Sequence, residues 1–290
     1  MNTFPEIIAA SVTIARPALY LVATPIGNLG DISLRALEVL KGADFVYAED
    51  TRNTAHLLAT YGISRALDSL HEQNEQSRVA ALIERMRAGS AAIALVSDAG
   101  TPLISDPGFR LVQAAHLAGI AVHAVPGASA VLAALTTAAL TVDRFAFEGF
   151  LPTRQAARRA RLGEVLEEGR TSVFFEAPHR IHETVLDMLE ILGPSRLVCV
   201  ARELTKQFET IYRGTLGEVA AKINADANAN RGEIVIVIAP GEKPPLNIAA
   251  TKLLSALLPR LTTRDAVEVV ADTTGAPRNL LYAYALAQQT

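Results

Sequence analysis

Ser97-Asp-Ala-Gly-Thr-Pro-Leu-Ile-Ser-Asp-Pro-Gly108 follows the apolar run 91–96, which reads as a buried strand, and precedes 109–117, which reads as a helix. Twelve residues rich in Gly, Pro, Ser and Asp are more than a tight strand-to-helix turn needs. In open α/β sheets ligands bind beyond the carboxyl ends of the strands, so an oversized loop at that point marks a candidate site.

Working outward, the runs 19–23, 43–48 and 120–125 read as further strands. The segments 34–41, 55–60, 75–87 and 128–139 read as helices, 75–87 by the spacing of Val79, Leu82, Ile83 and Met86. This alternation predicts a largely parallel sheet covered by helices, a first α/β domain over 18–141. A second series fills 142–240: strand 145–147, charged helix 155–167, strand 171–175, helix 181–192, strand 196–201 and the apolar run 233–239. The tract 241–245 reads as a linker, and the tail 246–290 as two or three helices without strands. Residues 1–17 read as a flexible lead-in that lacks the basic start of a signal peptide.

Half of the 290 residues are hydrophobic, yet no apolar run is long enough to span a bilayer. The single cysteine, Cys199, rules out an intramolecular disulfide and fits a core residue of a cytoplasmic protein. A net charge of −3 argues against indiscriminate nucleic-acid binding but leaves room for a local basic patch.

Four strand ends carry loops richer than packing requires: 24–31, 49–53, 97–108 and 126–129. In a parallel sheet they converge on one edge and bring Asp50, Arg52 and Asp98 together with several glycines. Neither G-x-G-x-x-G nor G-x-x-x-x-G-K-[ST] occurs, which removes the main support for Rossmann dinucleotide and Walker phosphate sites. No G-x-S-x-G elbow is present, and Cys and His do not fall at metal-ligand spacing. A small ligand held by backbone groups and a few carboxylates fits best. In the second half Glu176-Ala-Pro-His-Arg180 ends a strand, where His179 reads either as a helix cap or as a functional group. Arg202-Glu-Leu-Thr-Lys206 reads either as a functional turn or as an internal ion-pair cluster. Arg154, Arg158, Arg159 and Arg161 read either as a solvated helix face or as phosphate contacts.

Thr24-Pro-Ile-Gly-Asn-Leu-Gly-Asp31, Ala48-Glu-Asp-Thr-Arg52, His71-Glu-Gln-Asn74, Ser97-Asp-Ala-Gly-Thr-Pro102 and Ser105-Asp-Pro-Gly108 resemble the motifs of the bacterial 16S rRNA (cytidine-2′-O)-methyltransferases of the decoding centre, a branch of the tetrapyrrole-methylase superfamily. The likeness continues through Phe147-Glu-Gly-Phe-Leu-Pro152, Pro178-His-Arg180, Ala201-Arg-Glu-Leu-Thr-Lys206 and Arg231-Gly-Glu-Ile-Val235. Ala177 departs from it, standing where that family usually has Ser. The first loop lacks the Gly-x-Gly-Pro-Gly-Asp form of precorrin methylases, which favours the RNA branch. The resemblance implies two consecutive α/β domains with a cofactor cleft between them and S-adenosylmethionine as cofactor, held by Pro25, Gly27, Asp98, Ala99, Gly100, Thr101, Ser129 and Glu176. It further implies 2′-O-methylation of a cytidine in 16S rRNA within the assembled small subunit, a homodimer and no membrane.

A ribose hydroxyl is a poor acid and needs help to lose its proton. Asp50, Arg52 and His71 are the substrate-side candidates, and no metal is required. Arg154, Arg158, Arg159, Arg161, His179 and Arg180 are the RNA-side candidates. With nine Phe, six Tyr and no Trp, a broad stacking platform is not expected, so recognition falls to RNA shape and arginine–phosphate contacts. Two other readings stay open: a tetrapyrrole methyltransferase of the same superfamily, and a non-catalytic S-adenosylmethionine-binding protein.

Overall fold

Strand β4 (Ala92–Val96) is buried along its whole length and organises the first domain. Ala92, Ala94 and Val96 pack with Val39, Leu40 and Leu58, while Ile93 and Leu95 on the other face pack with Leu82, Met86 and Leu111. A strand apolar on both faces must be covered on both, as the unbroken run predicts. In this computed structural model, which describes residues 13–241 and 248–288, β4 lies between β1 (Ala18–Val22) and β2 (Phe45–Ala48). The order is β3-β2-β4-β1-β5, with β3 (Leu67–Ser69) and β5 (Ala121–Val125) at the edges and every pair parallel. The covering helices are α1 (Leu34–Gly42), α2 (Thr51–Thr60), α3 (Glu72–Ala88), α4 (Phe109–Leu117) and α5 (Ala130–Thr137). Because the strands are parallel, the four loops named above leave the same edge, those after β2, β4, β1 and β5 side by side.

The second sheet is mixed. Its order is β6 (Phe145–Phe150), β7 (Thr171–Glu176), β10 (Ile234–Ile238), β8 (Leu197–Arg202) and β9 (Thr210–Thr215); only β6 and β7 run parallel. The helices α6 (Gln155–Val165), α7 (Ile181–Leu192) and α8 (Leu216–Ala225) cover one face through Leu162, Val185, Met188, Val219 and Ile223. The opposite face, Val173, Cys199, Ala201, Val235 and Val237, packs against Val131, Ala134 and Leu135 of α5 and against Ile26. One helix of the first domain thus closes the core of the second, which fixes the two sheets against each other. Burial pushes the Cys199 thiol up to about 11, only partly offset by Arg213, as suits a core residue.

Three pieces went beyond the sequence reading. The short polar β3 has no apolar run to betray it. Strand β9 and helix α8 lie in 202–232, left without assignment, although Thr215 and Glu218 form the reciprocal capping box that opens α8. After residue 247, α9 (Ile248–Leu257), α10 (Thr263–Thr274) and α11 (Arg278–Ala287) share a separate small core around Leu254, Val267, Val270 and Leu281. Of the lead-in, residues 1–12 lie outside the described residues, as do 242–247 of the linker and tail and 289–290 at the end. Arg16 is held by Asp44 at 2.8 Å. Among the described residues no helix is long and apolar enough to cross a membrane.

Candidate functional site

The loop after β4 is fastened to its neighbours before it reaches the site. Thr24 and Gly100 exchange two backbone hydrogen bonds, at 2.9 and 3.0 Å, and the Thr101 hydroxyl donates to the Ala128 carbonyl at 3.2 Å. Glu75, buried on α3, accepts the Arg110 and Leu111 N–H groups at 2.8 and 3.3 Å and caps α4, fixing the far end of the loop. Ser129 caps α5 by accepting the Leu132 N–H at 3.4 Å.

Between these loops and the edge of the second sheet lies a cleft of about 380 Å³, within the range of small-molecule sites. Ala99, Gly100, Thr101, Ser129 and Glu176 line it. Pro25 and Gly27 flank Ile26, which lines it. Asp98 is turned away: its carboxylate accepts the Asp50 N–H at 3.0 Å and the Asn53 side-chain amide at 2.9 Å. Sequence reasoning missed Ile104, Asp106, Phe150 and Phe175, which also line the cleft. Asp106 sat in plain view within the opening stretch, but nothing in the sequence tells which acid of a loop faces a cavity.

Three carboxylates reach the cleft, and their partners distinguish them. Glu176 is buried and bonded to Arg180, to the Thr184 hydroxyl at 2.6 Å and to the Ala177 N–H at 2.7 Å. Glu233 pairs with Lys206 at 3.0 Å. Among the described residues Asp106 has no cationic partner. Burial raises its pKa above 3.8, the Ser97 hydroxyl opposes that, and the charge of Asp98 adds to it. Burial raises Glu49 as well, aided by the charges of Asp106, Asp98 and Asp50.

Asp50 is a different kind of acid. The Arg52 side chain (2.6 and 3.1 Å) and the Arg52 N–H (2.8 Å) pull its pKa down to about 2 while it caps α2. It is ionised yet too weak a base to suit proton abstraction from a hydroxyl. The Arg52 side chain, though paired with Asp50, remains 89% exposed and open to an anion from solvent. His71 opens α3; its Nε2 accepts from the Asn74 amide at 3.1 Å, and its Nδ1 is buried without a partner. Among the described residues no group of three or more His, Cys, Asp or Glu is arranged to hold a metal.

The arginine expectation is corrected in part. Arg158 is fully buried and bonded to Asp187 at 2.7 Å, because the helical register of α6 turns it toward α7. Arg180 is likewise internal, donating to Glu176, to the Thr153 hydroxyl at 3.0 Å and to the Leu151 carbonyl at 3.2 Å. Neither guanidinium is presented to a nucleic acid. Arg159 pairs with Asp187 and Glu190, and Arg161 with Glu148 and Glu164. Arg154 and His179 stay exposed, so the cap reading of His179 is not realised.

The 202–206 segment is an internal cluster: Lys206 bridges Glu203 at 2.8 Å and Glu233. Its stem lies on Gly27, where an added Cβ would stand 2.3 Å from Lys206 Cγ. Gly27→Ala is therefore expected to cost about 1–3 kcal/mol by overpacking this inter-domain contact. Thermal unfolding checks this; a melting temperature equal to wild type would show that the contact yields freely.

Two α/β layers, the first parallel and the second mixed, meet at this cleft. The family model for Tetrapyrrole (Corrin/Porphyrin) Methylases matches residues 18–220, and the chain belongs to that family. Within it, the chain is 47% identical to ribosomal RNA small subunit methyltransferase I of Pseudomonas aeruginosa, over 93% of this chain and 97% of that protein. The same-named protein of Xylella fastidiosa (strain Temecula1) is 48% identical over 91% and 97%. The RsmI C-terminal HTH domain model matches residues 244–289. Among solved structures, the fold is similar to uroporphyrin-III-C-methyltransferase from Thermus thermophilus (TM-score 0.55, 20% identity, 77% and 94% of the two chains). It is similar also to diphthine synthase (TM-score 0.57, 18% identity, 77% and 90%). The methyl donor is S-adenosylmethionine. The residues present fit it: apolar walls, loop backbone at Ala99–Thr101, and in Asp106 a carboxylate with no cationic partner among the described residues, suited to a cationic ligand.

Proposed function

We propose that this chain transfers a methyl group from S-adenosylmethionine to the 2′-oxygen of a cytidine in the decoding centre of 16S rRNA. The observation that carries the reading is similarity along almost the entire chain, tail included, to small-subunit rRNA methyltransferases. When bound, the cofactor supplies an electrophilic methyl group on a sulfonium. The loops after β1, β4 and β5 hold it on one side and the β7 end with the start of β10 on the other. Positioning then supplies much of the acceleration, since displacement at methyl needs in-line approach of the acceptor oxygen. Glu49, held above the ordinary carboxylate range beside Asp106, is better suited than Asp50 to accept the hydroxyl proton. Arg52 and Arg154, both exposed, are suited to phosphate contacts.

The assembled subunit as acceptor, a homodimer as the working form and a cytoplasmic location belong to this same reading. The largely exposed edge strand β5, with Leu117 of α4 beside it, gives a second copy a surface to meet. The test is methyl transfer from labelled S-adenosylmethionine to small subunits lacking decoding-centre modification, followed by mapping of the label. Label on one cytidine 2′-oxygen is expected. Cofactor binding without transfer to RNA would redirect the assignment to a small-molecule acceptor or to a binding protein.

A further inference from the structure

Strand β6 does not keep its alternation. Phe147 pairs with Val173 and Phe150 with Phe175, so three steps along β6 match two along β7. The extra residue is a bulge, and Gly149 within it takes φ +69, a left-handed value that glycine adopts without strain. Its effect is to re-aim a side chain. In regular strand geometry Phe147 and Phe150 point to opposite faces. After the bulge both meet Phe175 edge to face, with ring centroids at 4.9 and 5.5 Å. Phe147 and Phe175 are half-buried, and Phe150, outermost of the three, is 57% exposed while lining the cleft.

The loop after β4 supplies the facing rim. Ile104 also lines the cleft and is 41% exposed, held out between Leu103 and Ser105, both at positive φ (73° and 69°). The two rims converge here, since a Cβ built on Gly149 would lie 3.8 Å from the Ser105 hydroxyl. An exposed ring met edge-on by Phe175, which Phe147 meets in turn, and an aliphatic side chain on the other rim place apolar surface at the mouth of the cleft. A cofactor held in such a cavity buries most of its own surface. A ring still more than half exposed at the rim faces what arrives afterwards.

Resting on the function proposed above, we infer that Phe150, with Ile104 across the entrance, stacks on the splayed base of the acceptor nucleotide and so sets its ribose over the cleft. Nucleic-acid-modifying enzymes take an unpaired or extruded base between apolar side chains, and one ring suffices for that. The chain thus does not need the broad aromatic platform that its composition denies it.

The test compares Phe150→Ala, Phe150→Leu and Phe150→Trp in the full-length protein. Each is assayed for methyl transfer to unmodified small subunits, for S-adenosylmethionine affinity by calorimetry and for oligomeric mass. Loss of one base stack lowers kcat/KM for the subunit about tenfold or more in both Ala and Leu variants. Phe150→Trp, which keeps a π face, stays within about threefold of wild type, and cofactor Kd stays within about twofold throughout. A Leu variant as active as wild type would overturn the stacking role, as would an indifferent Ala variant. A matching loss of cofactor affinity would overturn it by making Phe150 a cofactor wall, and a changed oligomeric mass by making it a subunit contact. Wild-type protein that labels no subunit would overturn the functional reading and this inference with it, whereas labelled subunits with indifferent variants overturn this inference alone.

Discussion

Asp187→Ala is expected to lower the stability of the second domain by about 3–5 kcal/mol, because it strands a buried guanidinium. Arg158 and Asp187 are each about 1% exposed, and the carboxylate also receives Arg159 at 2.7 Å and Gln155 at 3.1 Å. Without it, among the described residues Arg158 keeps the Thr153 carbonyl at 3.3 Å and a distant, exposed Glu183 at 3.6 Å. For a chain of this size the loss shifts the melting temperature by on the order of 10 °C. Arg158→Leu alone costs less, since Arg159 and Gln155 still satisfy Asp187. Replacing both partners by leucine recovers most of the loss, because no buried charge is then left unpaired. Burial works against ionisation of Asp187, yet the hydrogen bonds from Arg159, Arg158 and Gln155 outweigh it and hold its pKa below 3.8. A depressed folded pKa means that the stabilisation is present above the unfolded value and is lost only as pH falls through the folded one. The gap between wild type and Asp187→Ala is therefore constant around neutrality and narrows below about pH 4. Calorimetric unfolding at pH 7 and pH 3 checks both statements; a variant within about 1 kcal/mol of wild type at pH 7 would refute the ion-pair account.

The same ion pair shows where sequence reading stopped. The strands that carry the site were legible because a parallel sheet covered on both faces leaves unbroken apolar runs, and 91–96 is one. Its loop was legible because Gly, Pro and Asp serve no packing purpose at that density. The direction in which a charged side chain points was not legible. Arg158 and Arg159 are neighbours in one charge run, but Arg158 is sealed by a carboxylate 29 residues away while Arg159 is half-exposed. Strand β9 escaped because its stability comes from its ladder with β8 rather than from an apolar pattern of its own. Phe150 escaped for a third reason: a one-residue bulge reverses the face that alternation assigns, and the sequence records it only as a glycine.

Asp106→Asn is expected to weaken S-adenosylmethionine binding by about 2–4 kcal/mol, a rise in Kd of roughly 30- to 1000-fold, with little change in fold. Glu176 is neutralised by Arg180, while Glu233 shares Lys206 with Glu203 and is 69% exposed, its charge screened by water; Asp106 is the half-buried cleft carboxylate without a cationic partner among the described residues. The ligand carries positive charge on its sulfonium and on its amino group, and a half-buried carboxylate interacts with such a charge at reduced dielectric. The substitution keeps the size of the side chain and an acceptor oxygen, so the loss reports charge rather than shape. Because burial raises the pKa of Asp106, its proton is lost later than from an exposed aspartate. In the free protein affinity should then decline as pH is lowered through that raised value, while Asp106→Asn binds with no such dependence. Calorimetric titration of both proteins between pH 7 and pH 4.5 tests this, with S-adenosylhomocysteine as a second ligand that keeps the amino group and lacks the sulfonium charge. Equal weakening for both ligands assigns Asp106 to the amino group, and weakening for S-adenosylmethionine alone assigns it to the sulfonium. A Kd within about twofold of wild type for both would show that the cleft holds its ligand without this charge.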